Sequence, residues 1–538
     1  MIREIFCTKF KEKSIKFKEG LNVILGDING ANSIGKSSAL LAIDYVLGGE
    51  TYRESEDIIS NVQHHEVGVC FCFENLNFYF VHDTSIKDRV FKADENFNKL
   101  DETLSLDEYK NFLKEKYQLN MFDCSFRETV GLFMRIYGKG IVNETKPLHE
   151  IAHKNEECII RLVKILDCYQ NIHELKIRLN ELKNRNDVYL KALKFNIINA
   201  PKNKNEERNI NRRIDSLNKE IDLLVKELAT QFISLDNEQI RIMLSIKEQL
   251  YRIQNQKIHS YSKIQRYQYN LDQSRQNSVV DLEKLKKFFP SIDVLEIEKI
   301  NQFHKDISEI VSSDLETQLK DEKRRYERLE QKEVELLNSI NPTVSDDSTI
   351  NFAIQHLTSL QKELFELKDS VCCFEKKNLY IKEKSDANNL YKNSFQEILT
   401  KVQQNLNNHL VEYSRIIYGN DKAAPLITLF PNKYNFKTPN DKGTGAQYSG
   451  LLMFDLVMLS ISRLPVICHD SFLLKNIEDQ TIERILNLYT SFTKKQIFIS
   501  FDKQNSYSDK TAQILNDNCV LRLAPDGREL YGKSWSRS

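Results

Sequence analysis

Apolar residues along the chain fall into three textures. Over residues 1–150 they come in short runs. Leu21-Asn22-Val23-Ile24-Leu25 has strand length, Leu40, Leu41, Ile43 and Leu47 mark one side of a helix over 37–47, and 67–73 with 78–81 reads as two strands around a polar turn at Asn75-Leu76-Asn77. Short apolar runs with polar breaks signal strands, and a spacing of three to four signals a helix. From 151 to 415 polar helix formers dominate, and Ile210, Ile214, Leu217, Ile221, Leu224 and Leu228 step alternately by four and three. That is the seam of a coiled coil, and Leu357, Leu360, Leu364, Leu367 and Val371 repeat it further on. From 416 to 538 the short runs return, with strands expected at 464–468 and 496–500 and a helix over 477–492 between them.

The helical pattern breaks at Asn199-Ala200-Pro201, at Phe288-Phe289-Pro290-Ser291 and from Asn341-Pro342 to Asp347. The middle break lies near the midpoint of the zone. The layout therefore predicts two antiparallel arms with an apex near 277–300 and joints near 199–205 and 341–350, although a compact helical bundle fits the same periodicity. The expected fold class is α/β, with N-terminal (1–150) and C-terminal (416–538) lobes split by a long antiparallel coiled-coil insertion.

Composition sharpens this picture. Only 16 Gly and 9 Pro occur in 538 residues, less than half the ordinary usage of about 7% and about 5%, as long solvated helices require. Lys+Arg and Asp+Glu balance at 77 each, so any nucleic-acid contact must come from a local patch. No stretch approaches 18 apolar residues, which excludes a helical membrane span, and Met1-Ile2-Arg3-Glu4 lacks a signal-peptide core. A cytoplasmic setting is expected. Ten cysteines without a C-x-x-C pair read as reduced thiols rather than a zinc site. The adjacent Cys372 and Cys373 read as core thiols, and His64 and His65 as surface residues.

The chemistry concentrates in Gly30-Ala31-Asn32-Ser33-Ile34-Gly35-Lys36-Ser37, an unbroken G-x-x-x-x-G-K-[ST] between an expected strand and an expected helix. Glycines let backbone N–H groups wrap phosphates, and the new helix aims its positive end at them. Lys36 is expected to reach the β/γ-phosphates and the Ser37 hydroxyl to coordinate Mg²⁺, so ATP or GTP is the expected ligand. Such a loop needs a carboxylate at the end of a neighbouring strand, and Asp470 after 464–468 supplies one.

These residues, with Asn29 before and Ser38 after them and the Ala42-Ile43-Asp44-Tyr45-Val46-Leu47-Gly48 helix, resemble the SMC/Rad50 branch of ABC ATPases. The resemblance implies an ABC-type P-loop ATPase head formed from both lobes and using ATP and Mg²⁺. It also implies a signature motif that completes the nucleotide site of a second head. Gly443-Thr444-Gly445-Ala446-Gln447 stands at that spacing, with Thr444 in the serine's place and Gly445 and Gln447 in theirs. A homodimer through the heads follows. Arg53 falls where the family carries a DNA-contacting arginine.

Two departures stand out. The family's catalytic glutamate is here Ser471, so either a displaced acid, Glu478 or Asp479, takes part, or hydrolysis is slow and ATP acts mainly as a clamp. The histidine ending the next strand is absent, and Asp502 is a weak substitute for it. With the "GTG" and "HDS" phrases, these changes resemble the coiled-coil ATPase of bacterial three-component, Lamassu-type defence systems. That resemblance implies double-stranded DNA or DNA ends as ligand, and an effector nuclease and a small accessory subunit as partners. A break-repair ATPase of the Rad50 or RecN kind and an ATP-clamped scaffold stay open beside it. The apex has neither the length for a hinge domain nor a cysteine for a zinc hook. Lys202, Lys204, Arg208, Arg212 and Arg213 form a possible phosphate-tracking strip, with Glu206 and Glu207 interleaved as on an ordinary solvated helix.

Overall fold

The structure, a computed structural model, describes residues 1–27, 33–151, 153–195, 198–231, scattered positions between 245 and 271, 313, 316–336, 348–502 and 506–535. The expected apex near 277–300, the break at 288–291 and the third break at 341–347 lie outside them. The chain divides into two compact units: Met1–Arg185 with Lys382–Ser538, and Asn186–Ile381.

Three sheets shape the first unit. β1 (Ile2–Phe6), β2 (Ser14–Lys16), β4 (Glu66–Phe73), β5 (Leu76–Asp83), β6 (Arg89–Ala93) and β7 (Lys99–Ser105) form an antiparallel sheet in the order β2-β1-β4-β5-β6-β7. The β4–β5 turn sits at Glu74-Asn75, both with positive φ (51° and 63°), so Leu76 and Asn77 already belong to β5. A two-residue loop matching the twist of its strands needs positive φ at both positions, which Asn tolerates; this moves the turn one residue earlier than the pattern predicts.

The second sheet is parallel and draws on both ends of the chain. β3 (Gly20–Leu25) and β8 (Met134–Arg135) precede the helical zone, while β11 (Val466–His469), β12 (Gln496–Phe501) and β13 (Cys519–Arg522) follow it. Their order is β13-β3-β12-β11-β8. Every residue of β3, β11 and β12 is buried, as expected of parallel strands covered on both faces. The helices Lys36–Val46, Thr444–Ile461 and Asp479–Thr490 pack against these strands. Gln496 stitches this sheet to the antiparallel one: its side chain accepts from Ile2 N (2.8 Å) and donates to Ile2 O (2.8 Å). A two-stranded sheet pairs β9 (Leu426–Phe430) with β10 (Lys433–Lys437).

The 71-residue helix Ser348–Tyr418 fits a coiled coil. Its C-terminal part enters the core of the first unit through buried Phe395, Leu399, Val402, Leu406 and Leu410, at three- to four-residue steps. The first break separates the helices Gln170–Lys194 and Lys204–Gln231. Within the second unit, partners run antiparallel: Tyr189 OH donates to Cys373 O (2.9 Å), Arg213 grips Glu363 through Nε (2.9 Å) and Nη2 (3.1 Å), and Lys257 meets Glu333 (2.6 Å). Rising numbers on one side thus face falling numbers on the other. Among the described residues no helix is long and apolar enough to cross a membrane.

Candidate functional site

Parallel strands bring all their C-terminal ends to one edge, where α/β sheets bind ligands. β12 lies between β3 and β11, with Phe501 opposite Leu25 and His469 opposite Ile499. The segments following β3, β11, β12 and β8 therefore converge, and each contributes to the site.

After β3 comes the expected phosphate loop. Asn29, Gly30, Ala31 and Asn32 lie outside the described residues. Ser33 and Gly35 have positive φ (60° and 94°), and Gly35 leads into the helix Lys36–Val46, whose first turn carries no acid. The positive helix end is left for an anion. Ser37 Oγ donates to Asp470 Oδ2 at 2.7 Å. Asp470 also accepts from Tyr137 N (3.1 Å) through Oδ2 and from Ser500 Oγ (2.7 Å) and Ser471 N (2.8 Å) through Oδ1. This carboxylate is 2% exposed and fixed by four donors. Ser37 and Asp470 fit Mg²⁺: they present hard oxygens side by side, the donor chemistry this ion takes.

Lys36 Nζ pairs with Asp502 Oδ1 at 2.8 Å. Ser38 is half-buried one position beyond Ser37.

The other expected site residues lie elsewhere. Thr444 starts the helix Thr444–Ile461, with Gly443 as its N-cap and no acid in its first turn. Gly445 presses on the chain at Asn476, since a Cβ there would meet Asn476 O at 2.6 Å. Gln447 Nε2 donates to Lys442 O (3.3 Å). The two displaced acids stand at the start of the helix Asp479–Thr490. The Glu478 side chain is 66% exposed and pairs with Lys422 at 3.6 Å, and Asp479 takes the first position of that helix. The carboxylate that reaches Lys36 is Asp502, because β12 is the strand next to β3. Ser471 is 9% exposed, and its N–H is taken by Asp470 and Ser500.

Several supports of the site come from residues that sequence reasoning passed over. Leu530 N donates to Ile34 O (3.0 Å), and a Cβ on Gly35 would meet Leu530 Cβ at 2.5 Å. The neighbouring Tyr531 hydroxyl meets Tyr52 OH (2.9 Å), which meets His65 Nε2 (2.8 Å). His65 is therefore a core residue and not a surface one. Its Nδ1 faces Gln63 O at 2.7 Å, so Nδ1 donates and Nε2 accepts from Tyr52.

Beneath Asp470, Arg135, Asp455 and His469 are fully buried. Arg135 grips Asp455 through Nε (2.8 Å) and Nη2 (2.9 Å) and donates to Ile141 O (2.9 Å) and Pro147 O (2.7 Å). His469 bridges Asp455 (3.2 Å) and Tyr489 OH (2.6 Å). This network ties β8 and β11 to the helix Thr444–Ile461.

The basic candidates divide. Lys204, Arg208 and Arg212 are exposed at four-residue steps along the helix Lys204–Gln231, forming one stripe. Arg213 leaves the expected strip, because it is spent on Glu363 across the coil. Lys202 is exposed just before the helix, its N–H donating to Glu206 Oε2 (2.6 Å). Arg53 is 17% exposed and lines a narrow cleft with Lys87 and Arg89.

The family described as "Uncharacterised protein conserved in bacteria (DUF2326)" matches residues 388–533, a stretch that holds Thr444, Asp470 and Asp502 but not the phosphate loop. No curated protein matches the chain. Similar solved structures include an Smc head domain with a coiled coil and joint from Pyrococcus yayanosii, at 15% identity over 98% of this chain and 95% of that one, with a TM-score of 0.45. An Smc head domain with an extended coiled coil bound to the C-terminal domain of ScpA, from Pyrococcus furiosus, is similar at 13% identity over 99% and 94%, with a TM-score of 0.35. A third, an Smc head bound to the C-winged helix domain of ScpA, is 10% identical over 99% and 96%, with a TM-score of 0.39.

Proposed function

We propose that the chain is an SMC/Rad50-like ATP-binding subunit whose ABC-type head is built from both chain ends. The observation that carries this reading is the 2.7 Å contact between Ser37 Oγ and Asp470 Oδ2. It joins the phosphate loop of the N-terminal lobe to the strand-end carboxylate of the C-terminal lobe, on a parallel sheet that each lobe only half supplies.

In this reading Lys36 and the helix start bind the phosphates, while Ser37 and Asp470 hold Mg²⁺. The ion, when bound, neutralises phosphate charge. Ser471 carries only a hydroxyl where an acid would orient the attacking water, which favours slow turnover and ATP used chiefly as a clamp. Thr444, Gly445 and Gln447 open a helix whose first turn carries no acid, which supports their docking on a nucleotide held by a second copy. The stripe Lys204, Arg208, Arg212 supports contact with double-stranded DNA. The finer role is that of a cytoplasmic, DNA-sensing defence subunit that restrains an effector nuclease with a small accessory subunit.

Light scattering of the full chain with and without Mg-ATP tests this. We expect ATP-dependent dimers, loss of binding and dimers in Lys36→Ala, and association weakened about ten-fold in Thr444→Ala. Wild-type ATP binding by Lys36→Ala overturns the phosphate-loop reading; ATP binding without association overturns the paired heads. Turnover with and without linear DNA separates a working ATPase from a clamp.

A further inference from the structure

The lysine of the phosphate loop already holds an anion. Asp502 is the first residue past β12, and the in-register pairing of Phe501 with Leu25 carries it across to the end of β3. There its Oδ1 lies 2.8 Å from Lys36 Nζ, with only 16% of the Asp502 and 8% of the Lys36 side chain exposed. The room for the pair comes from Gly26. A Cβ at that position would meet Asp502 Oδ1 at 2.5 Å and Lys36 Cδ at 3.2 Å. A lysine at the start of a helix with no acid in its first turn is arranged for a phosphate, yet its partner here is a carboxylate of the protein.

We propose that Asp502 is an internal competitor for the nucleotide: it occupies Lys36 until the phosphates displace it. The inference rests on reading Gly30–Ser37 as a phosphate loop. Binding then exchanges one ion pair for another, so Lys36 adds less net affinity than an unoccupied lysine would. The displaced carboxylate also has to leave the phosphates, since like charges in a poorly hydrated site repel strongly. Nucleotide binding is thereby coupled to movement of the β12 end, and Asp502 sets how much nucleotide is needed before the head responds.

The test is equilibrium Mg-ATP binding by the full chain as wild type, Asp502→Asn, Asp502→Ser, Lys36→Ala and the double variant Lys36→Ala/Asp502→Asn. We expect Asp502→Asn and Asp502→Ser to bind roughly ten-fold tighter than wild type, because the competing charge is gone. That gain should vanish in the Lys36→Ala background, since the two residues act through one contact. In a melting experiment, nucleotide-free Asp502→Asn should be less stable than wild type, because the buried Lys36 loses the Asp502 charge, and should gain more from Mg-ATP. Unchanged or weaker binding in both single variants, while wild type binds and Lys36→Ala does not, overturns the competitor and leaves the phosphate loop standing. A gain that persists without Lys36 also overturns it. Absence of nucleotide binding in every protein removes the phosphate loop, and the competitor with it.

Discussion

Asp455→Ala is expected to remove about 3–5 kcal/mol of stability from the first unit, measured by urea denaturation of the full chain. The reason is what the change strands. Arg135 is fully buried, and Asp455 is the only charge among the four hydrogen-bond contacts that hold its guanidinium. Removing the carboxylate leaves a buried cation and strips His469 Nε2 of its acceptor. Replacing both partners together, Arg135→Leu with Asp455→Leu, should cost much less than the sum of the single changes, because no unpaired charge remains. The pH dependence has a definite sign. Burial would push the Asp455 carboxyl up, but the Arg135 charge and hydrogen bonds from Arg135 and His469 hold it below the ordinary carboxylate range. A lowered folded-state value gives stability that is present above roughly pH 4 and drains away as pH falls through that value. Wild type should therefore lose stability more steeply below about pH 4 than Asp455→Asn does.

Gly35→Ala should weaken Mg-ATP binding by about a hundred-fold or more, judged from the two costs that meet at this residue. Its φ of 94° is a conformation that side chains resist. The added Cβ would also meet Leu530 Cβ at 2.5 Å, so the loop or the segment at Leu530 must shift. Adding Leu530→Gly removes the Cβ that the new methyl would meet but keeps the backbone strain. Titrations of the single and double variants should then show only partial recovery. Full recovery would assign the whole effect to crowding, and none would assign it to φ.

Much of the candidate site was legible because it is local. The helix after the loop and the strands at 464–468 and 496–500 each depend on neighbours a few positions away, and they appear at 36–46, 466–469 and 496–501. The supporting contacts were not legible for the opposite reason. Arg135 and Asp455 are 320 positions apart, and nothing in either local pattern marks them as a pair. The Lys36–Asp502 pair is equally non-local: the adjacency of β12 to β3 brings that carboxylate to the lysine. Much of the antiparallel sheet escaped pattern reading because β7 is mostly exposed, with no alternation to detect. His65 looked like a surface residue until Tyr52 folded over it.

The sheet order also sets a timetable for synthesis. β3 is fully buried, yet both of its neighbours, β12 and β13, come from the far end of the chain. Ile2 and its partner Gln496 are 494 positions apart, a gap that a ribosome crosses in roughly 25–100 s at about 5–20 residues per second. Through that interval an apolar strand waits with unpaired edges, open to mispairing with another nascent copy. Lys36 and Ser37 are made early but meet Asp502 and Asp470 only when translation has nearly finished.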